Sequence, residues 1–376
     1  MCYNFIVMKK SLKIAAAALA VGAVITLAGC SGCSSCNKNN KLLAVTSSNW
    51  YTGTSYKGIQ PSFIPSESHP EYTKEIIEYT VTLDKSSAGN AIYSVDYENG
   101  KYTTEFYAFE YDWSTNRFYA GTEKEPLYAF VTKLDIWVTF THKTTGKTGE
   151  KFHDFVNTVA YFRAAGKNLQ PVYSKQEIVS HSPAGLQPAS IEYACEFVNE
   201  TYENFYNYDC SAVTTVNGEN TNVYEKLNDI KYSVFDNSSL YIAARSLKLS
   251  QSLTQTFYLY NAAAGGPSEY VITGADTALD STEEKKEIKD ISAEMQRCGL
   301  FVPSEERTTI PTVALNINYA GGNLHGTTQT AWYAAIENSD YNLARATLLK
   351  LSVPLPYGLG ALNYSLKEIK STLWNG

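Results

Sequence analysis

Ile77-Glu78-Tyr79-Thr80-Val81-Thr82-Leu83 alternates apolar and polar side chains without a break. Successive side chains on a strand point to opposite faces, so this pattern sets one face against a core and the other in water. Tyr93-Ser-Val-Asp-Tyr97 repeats the period, and Glu98-Asn99-Gly100-Lys101 follows it. Asn and Gly tolerate the positive φ of a tight turn, so the sequence predicts a hairpin from Tyr93–Tyr97 into Tyr102–Tyr111.

The same signal recurs outward from there. Leu134–Phe140 alternates, residues 142–149 are rich in Thr, Lys and Gly, and Phe155–Phe162 is apolar on both faces, as a central strand requires. A second Asn-Gly pair, Asn217-Gly218, separates Ala212–Val216 from a strand ending at Tyr224. Val313–Tyr319, a turn at Gly321-Gly322, Thr328–Ile336, Leu343–Leu351 and Leu362–Ile369 then read as four consecutive antiparallel strands.

Helical periodicity is confined to two stretches. In Ser281–Cys298, Ser281 and Glu284 form a capping box, Ile288, Ile291 and Met295 share one face, and Gly299 is the stop. In Ser239–Leu247, behind Asp236-Asn237, the inward residues are Leu240, Ala243, Ala244 and Leu247. The expected fold is therefore mainly β: a large antiparallel sheet curved into a half-barrel or barrel-like shell, with one or two short helices on it or plugging it. Ala164–Pro188, rich in Gly, Pro, Ser, His and Gln, is a soft boundary. It divides an N-terminal β lobe, 42–187, from a C-terminal β lobe, 188–376, unless one long curved sheet spans both.

Tyrosine is the over-represented residue, with 29 copies. Its apolar ring and polar tip suit half-buried sheet faces and the walls of ligand grooves. Trp137 and Trp332 fall in strands, whereas Trp50, Trp113 and Trp374 fall near loops or ends. A curved, aromatic-lined sheet with a helix across its mouth leaves a cavity for an apolar ligand or a glycan.

No local motif carries chemistry. His69, His142, His153, His181 and His325 are scattered, so no metal site is expected. His153-Asp154 are strand neighbours facing opposite ways, which argues against a dyad made by that pair alone. There is no Gly-x-Ser-x-Gly elbow and no phosphate loop, and Asp96–Gly100 is too short for a calcium loop. No catalytic residue and no cofactor are expected on this reading. Paired carboxylates leave no local signature, because they come from distant strands, so a glycan-active enzyme stands as the alternative to a binding or structural module for an apolar ligand, a glycan or an envelope partner.

The cysteines do not form a disulfide framework. Cys33-Ser-Ser-Cys36 has redox spacing but no second pair. Cys195 and Cys210 either bridge a hairpin or are two separate core thiols, and Cys298 closes the expected helix.

The N-terminus bears on location. Met8-Lys9-Lys10-Ser11-Leu12-Lys13 is basic, and Ile14–Leu27 is an uncharged apolar run. That run is shorter than the roughly 20 residues of a membrane-crossing helix. Residues 1–29 are therefore expected to be an export signal, with Met8 the better initiator. Leu27-Ala28-Gly29-Cys30 resembles the lipobox of bacterial lipoproteins, which implies cleavage before Cys30 and lipid on its thiol. Each buried CH₂ contributes about 0.8 kcal/mol, so two or three acyl chains anchor a protein stably. Residues 30–41 then read as a lipidated polar tether.

The expected location is the outer face of the cell membrane, or the outer membrane in a host that has two. Loss of Lys9, Lys10 and Lys13 with the signal moves the formal charge from −7 to −10, which disfavours nucleic acid as a partner.

Asp236–Leu247, Thr330-Ala-Trp-Tyr333 and the stretch from Leu349 through Pro354-Leu-Pro-Tyr-Gly358 to Leu366 resemble an uncharacterised family of exported bacterial β-rich proteins and lipoproteins. The resemblance covers roughly the second half of the chain. It implies a barrel-like antiparallel shell and an exported location, and it brings no active-site residues.

Overall fold

The first alternating stretch finds its partner at the far end of the chain. Strand β1 (Lys74–Asp84) pairs antiparallel with β16 (Ala361–Ser371), placing Tyr79 opposite Leu366 and Val81 opposite Tyr364. The computed structural model describes residues 74–90, 92–112, 117–119, 126–165, 168–183, 185–200, 206–216, 218–230, 235–236, 240–244, 254–261, 266–276, 282–319, 328–335, 347–355 and 358–371. Cys30, the tether and Cys33-Cys36 lie outside these residues.

From β1 the sheet runs through β2 (Tyr93–Asp112), β4 (Pro126–His142), β5 (Thr148–Ala165), β6 (Asn168–Ser182), β7 (Gly185–Glu200), β8 (Tyr206–Val216) and β9 (Glu219–Ile230), with β3 (Arg117–Tyr119) beside β2. In the other direction β16 leads back through β15 (Leu348–Pro354), β14 (Thr328–Ala334), β13 (Thr312–Tyr319), β12 (Gly266–Ala275) and β11 (Thr254–Asn261) to the two-residue β10 (Phe235–Asp236). Every pairing is antiparallel except β10 with β11. This is one large, mainly antiparallel sheet, and residues 187 and 188 both lie inside β7. The sheet curls until β10 comes against β6, and among the described residues no hydrogen-bonded pairing closes it.

The interior is filled by tyrosine. Tyr79, Tyr102, Tyr270, Tyr333 and Tyr364 are fully buried, with ring centroids 5.6 Å apart for Tyr79–Tyr102 and 5.2 Å for Tyr102–Tyr364. Helix α1 (Leu240–Ala244) packs inside this curl: Tyr333 Oη donates to Tyr241 O at 3.0 Å, and Tyr241 Oη donates to Gln329.

Helix α2 (Thr282–Arg297) lies on the opposite face of β14–β16, where Lys350, register partner of Trp332, reaches Glu287 at 2.6 Å. Ile288, Ile291 and Met295 are buried as the helical spacing predicts. The helix ends in a Schellman turn: Leu300 N–H donates to Met295 O, Gly299 N–H donates to Gln296 O, and Gly299 has φ +69°. Ser281, and with it the expected capping box, falls outside the described residues.

The second expected hairpin forms, with Val216 opposite Glu219 and Gly218 at φ +83°, while Asn217 lies outside the described residues. The expected hairpin at Asn99-Gly100 does not. β2 runs straight through both residues and stays paired with β4, from Tyr93 opposite His142 to Glu110 opposite Pro126. Asn99, at φ 52°, and Gly100 form a bulge marked by a register shift between Glu98 and Lys101.

The reason lies in the inward residues. Val95 is buried before the bulge, and Tyr102, Thr104 and Phe106 are buried after it, so the inward positions change from odd to even numbers. One extra residue keeps both halves facing the core. A Cβ on Gly100 would lie 2.7 Å from Val81 Cβ and O and 2.8 Å from Ile136 Cδ1, so this close approach needs glycine.

Candidate functional site

The outer face of β1, β2, β4 and β5 is stacked in rows set by register. Trp137 sits between Glu98 and His153, Asp135 between Lys101 and Phe155, and Lys133 between Thr103 and Asn157. All point away from the tyrosine core, because Leu134, Ile136 and Val138 take the inward positions of β4. These rows line an open groove of about 560 Å³, walled by Lys101, Glu105, Lys133, Asp135, His153 and Phe155, with Ile76 and Lys370 at its end.

Trp137 stands beside this groove and is 37% exposed. Its ring lies 4.9 Å from that of His153, which is 6.1 Å from Phe155. Lys151 Nζ stands 5.6 Å above the Trp137 ring while reaching Glu98 at 2.6 Å. The result is a short aromatic ledge rimmed by charge.

Each acid on this face is held by a base. His153 Nε2 is 3.0 Å from Asp135, and Lys133 is 3.2 Å from Glu105. Glu78, buried on β1, gathers Lys101 and Lys370 at 2.7 Å and Lys367 at 3.0 Å. Hydrogen bonds from Lys101 and Lys370 lower its pKa to about 2, against the opposing pull of burial.

His153 and Asp154 do face opposite ways, and each finds a partner on another strand. Asp154 is buried and accepts both His181 N–H, at 3.1 Å, and the His181 imidazole, 2.6 Å from Nδ1. Regular pairing of β5 with β6 ends at Phe155 opposite Val179, so the carboxylate takes over the His181 amide where the ladder stops. Phe152 stacks on the His181 ring at 4.3 Å. Burial raises the Asp154 carboxyl above its ordinary value, although the bonds from His181 work against it.

The expected concave ligand cavity is not where the exposed aromatics are. Among the described residues, the concave side is occupied by buried tyrosines and α1. Desolvation holds the phenols of Tyr97, Tyr102 and Tyr241 above their ordinary range, so they stay neutral. Trp332 is buried, with Lys350 5.3 Å over its ring. Trp50, Trp113 and Trp374 lie outside the described residues. The outer groove, missed in the sequence, had a signal there: the outward positions of β4 and β5 include Trp137 and Phe155, large aromatic residues on the face away from the core.

A second opening, of about 360 Å³, lies where β1 and β2 part beyond Val81 and Gly100, lined by Thr82, Lys85, Asp96 and Tyr97. Lys85 and Asp96 form an ion pair across it. Among the described residues, no group of three or more His, Cys, Asp or Glu side chains is placed to hold a metal ion.

No family model matches the chain, and no curated protein matches it. Among solved structures it is similar to the crystal structure of a β-barrel-like protein of a domain of unknown function from Brucella abortus. The identity is 10% and the TM-score 0.39, over 80% of this chain and 98% of that one.

Proposed function

We propose that this chain is an exported lipoprotein, anchored through lipid on Cys30, whose β domain binds an uncharged glycan along the outer groove. The observation that carries the ligand class is Trp137, exposed on a sheet face where the neighbouring charges are already paired. A sugar offers an apolar C–H face to an aromatic ledge and hydroxyls that both donate and accept. An ionic ligand would have to displace an existing ion pair and bear that desolvation cost.

The filled tyrosine interior counts against an apolar ligand held inside the curl. The groove acids count against hydrolysis by paired carboxylates: Glu105 and Asp135 are engaged by bases, and Glu78 stays ionised, whereas an acid catalyst must hold a proton. Anchoring and export rest on the pattern of residues 1–41.

A neutral-glycan array probed with the chain, followed by titration calorimetry on the best binder, tests the ligand class. Trp137→Ala is expected to weaken binding roughly tenfold, or about 1.4 kcal/mol, with little change in thermal midpoint. An array without binders, or unchanged affinity in the variant, would remove the reading. Labelling with radioactive palmitate that is lost in Cys30→Ala tests the anchor separately.

A further inference from the structure

The register of β7 and β8 sets Cys195 directly opposite Cys210, in an unbroken run from Ala189 opposite Val216 to Phe197 opposite Tyr208. Directly opposed residues of an antiparallel pair have Cα atoms about 4.5–5.5 Å apart. A disulfide needs roughly 4.4–6.8 Å. The sequence left two separate core thiols as the alternative to a bridge, and the register brings the two backbones together on one rung.

We infer that Cys195 and Cys210 form a cross-strand disulfide when the chain meets a thiol–disulfide oxidant. The inference rests on the proposed export for its setting, since disulfides persist in oxidising compartments. One thiolate attacks a sulfur of the oxidant's disulfide and releases one oxidant thiol. The second cysteine then attacks the mixed disulfide, forming the S–S bond and releasing the other. The protein loses two electrons and two protons, and the oxidant's disulfide gains them as two thiols.

Cys298 is an internal contrast. Its thiol sits at the end of α2, 3.8 Å from Glu294 and 3.7 Å from Ile369 O, and burial raises its pKa. It should stay reduced under conditions that close the pair.

The test treats the purified full-length chain with oxidised glutathione, blocks remaining thiols by alkylation and digests with a glutamate-specific protease. Cleavage after Glu192, Glu196, Glu203 and Glu219 places Cys195 in peptide 193–196 and Cys210 in peptide 204–219. The expected product is these two peptides joined, two hydrogens lighter than their sum and separated by reductant, while Cys298 is alkylated. Cys195→Ser should abolish the linked species and leave Cys210 open to alkylation, and Cys210→Ser should do the converse. Recovery of both peptides alkylated after the oxidant overturns the inference. A linkage that forms with glutathione but is missing from chain taken directly from its host supports the pair and counts against export.

Discussion

Asp154 on β5 closes on His181 of β6, carboxylate to Nδ1 at 2.6 Å, and leaves its sequence neighbour His153 to Asp135 of β4. Two adjacent residues thus pin their strand to both neighbours from opposite faces. Asp154→Ala leaves a part-buried amide and imidazole without their acceptor, and is expected to cost about 2–4 kcal/mol. Asp154→Asn, whose side-chain oxygen still accepts the amide, should cost about half of that by urea unfolding. Midpoints unchanged in both variants would rule out a stabilising role for the pair.

The bulge on β2 gives a test with opposite signs at adjacent residues. Gly100→Ala drives a Cβ into Val81 and Ile136 and should cost about 1–3 kcal/mol. Asn99→Gly relieves a left-handed residue at φ 52° and should be neutral or slightly stabilising, whereas Asn99→Val should cost about 1–2 kcal/mol. Thermal midpoints of the three variants check the order.

Glu78 predicts a pH dependence. Its folded pKa, about 2, is below the ordinary 4.5, so its contribution is fully present above pH 4.5 and is lost as pH falls from 4.5 towards 2. The lysines around it are half exposed, which reduces the contribution to about 1–3 kcal/mol. Wild type and Glu78→Gln, compared by chemical unfolding at pH 7 and pH 3, should differ most at the higher pH. A constant gap would show that the carboxylate charge plays no part.

Lys350 is buried against Trp332 and reaches Glu287 of α2. Glu287→Gln takes a carboxylate charge away from that buried ammonium and should cost about 1–3 kcal/mol, since Glu287 keeps some solvent contact. Adding Lys350→Met should restore much of the loss. A double variant no more stable than Glu287→Gln would contradict this account.

Much of the architecture was legible in local sequence. Alternation at Ile77–Leu83, Leu134–Phe140 and Val313–Tyr319, helical spacing at Ile288, Ile291 and Met295, and Gly299 as a stop depend only on residues a few positions apart. A side-chain period reports directly which face is buried, so mainly antiparallel β structure with few helices followed from the sequence alone.

The tertiary structure decided what depends on partners far away in the chain. Asn99-Gly100 suits a turn and a bulge equally well; the packing of Val81 and Ile136 around Gly100 makes it a bulge. The pairing of β1 with β16 has no local signal, because strands choose neighbours by burial across the whole sheet. Both Trp137 and Trp332 read as strand tryptophans, yet α2 covers the sheet face carrying Trp332 and leaves Trp137 exposed. The His–Asp pairs come from register between strands, a relation that appears only when the backbone has folded.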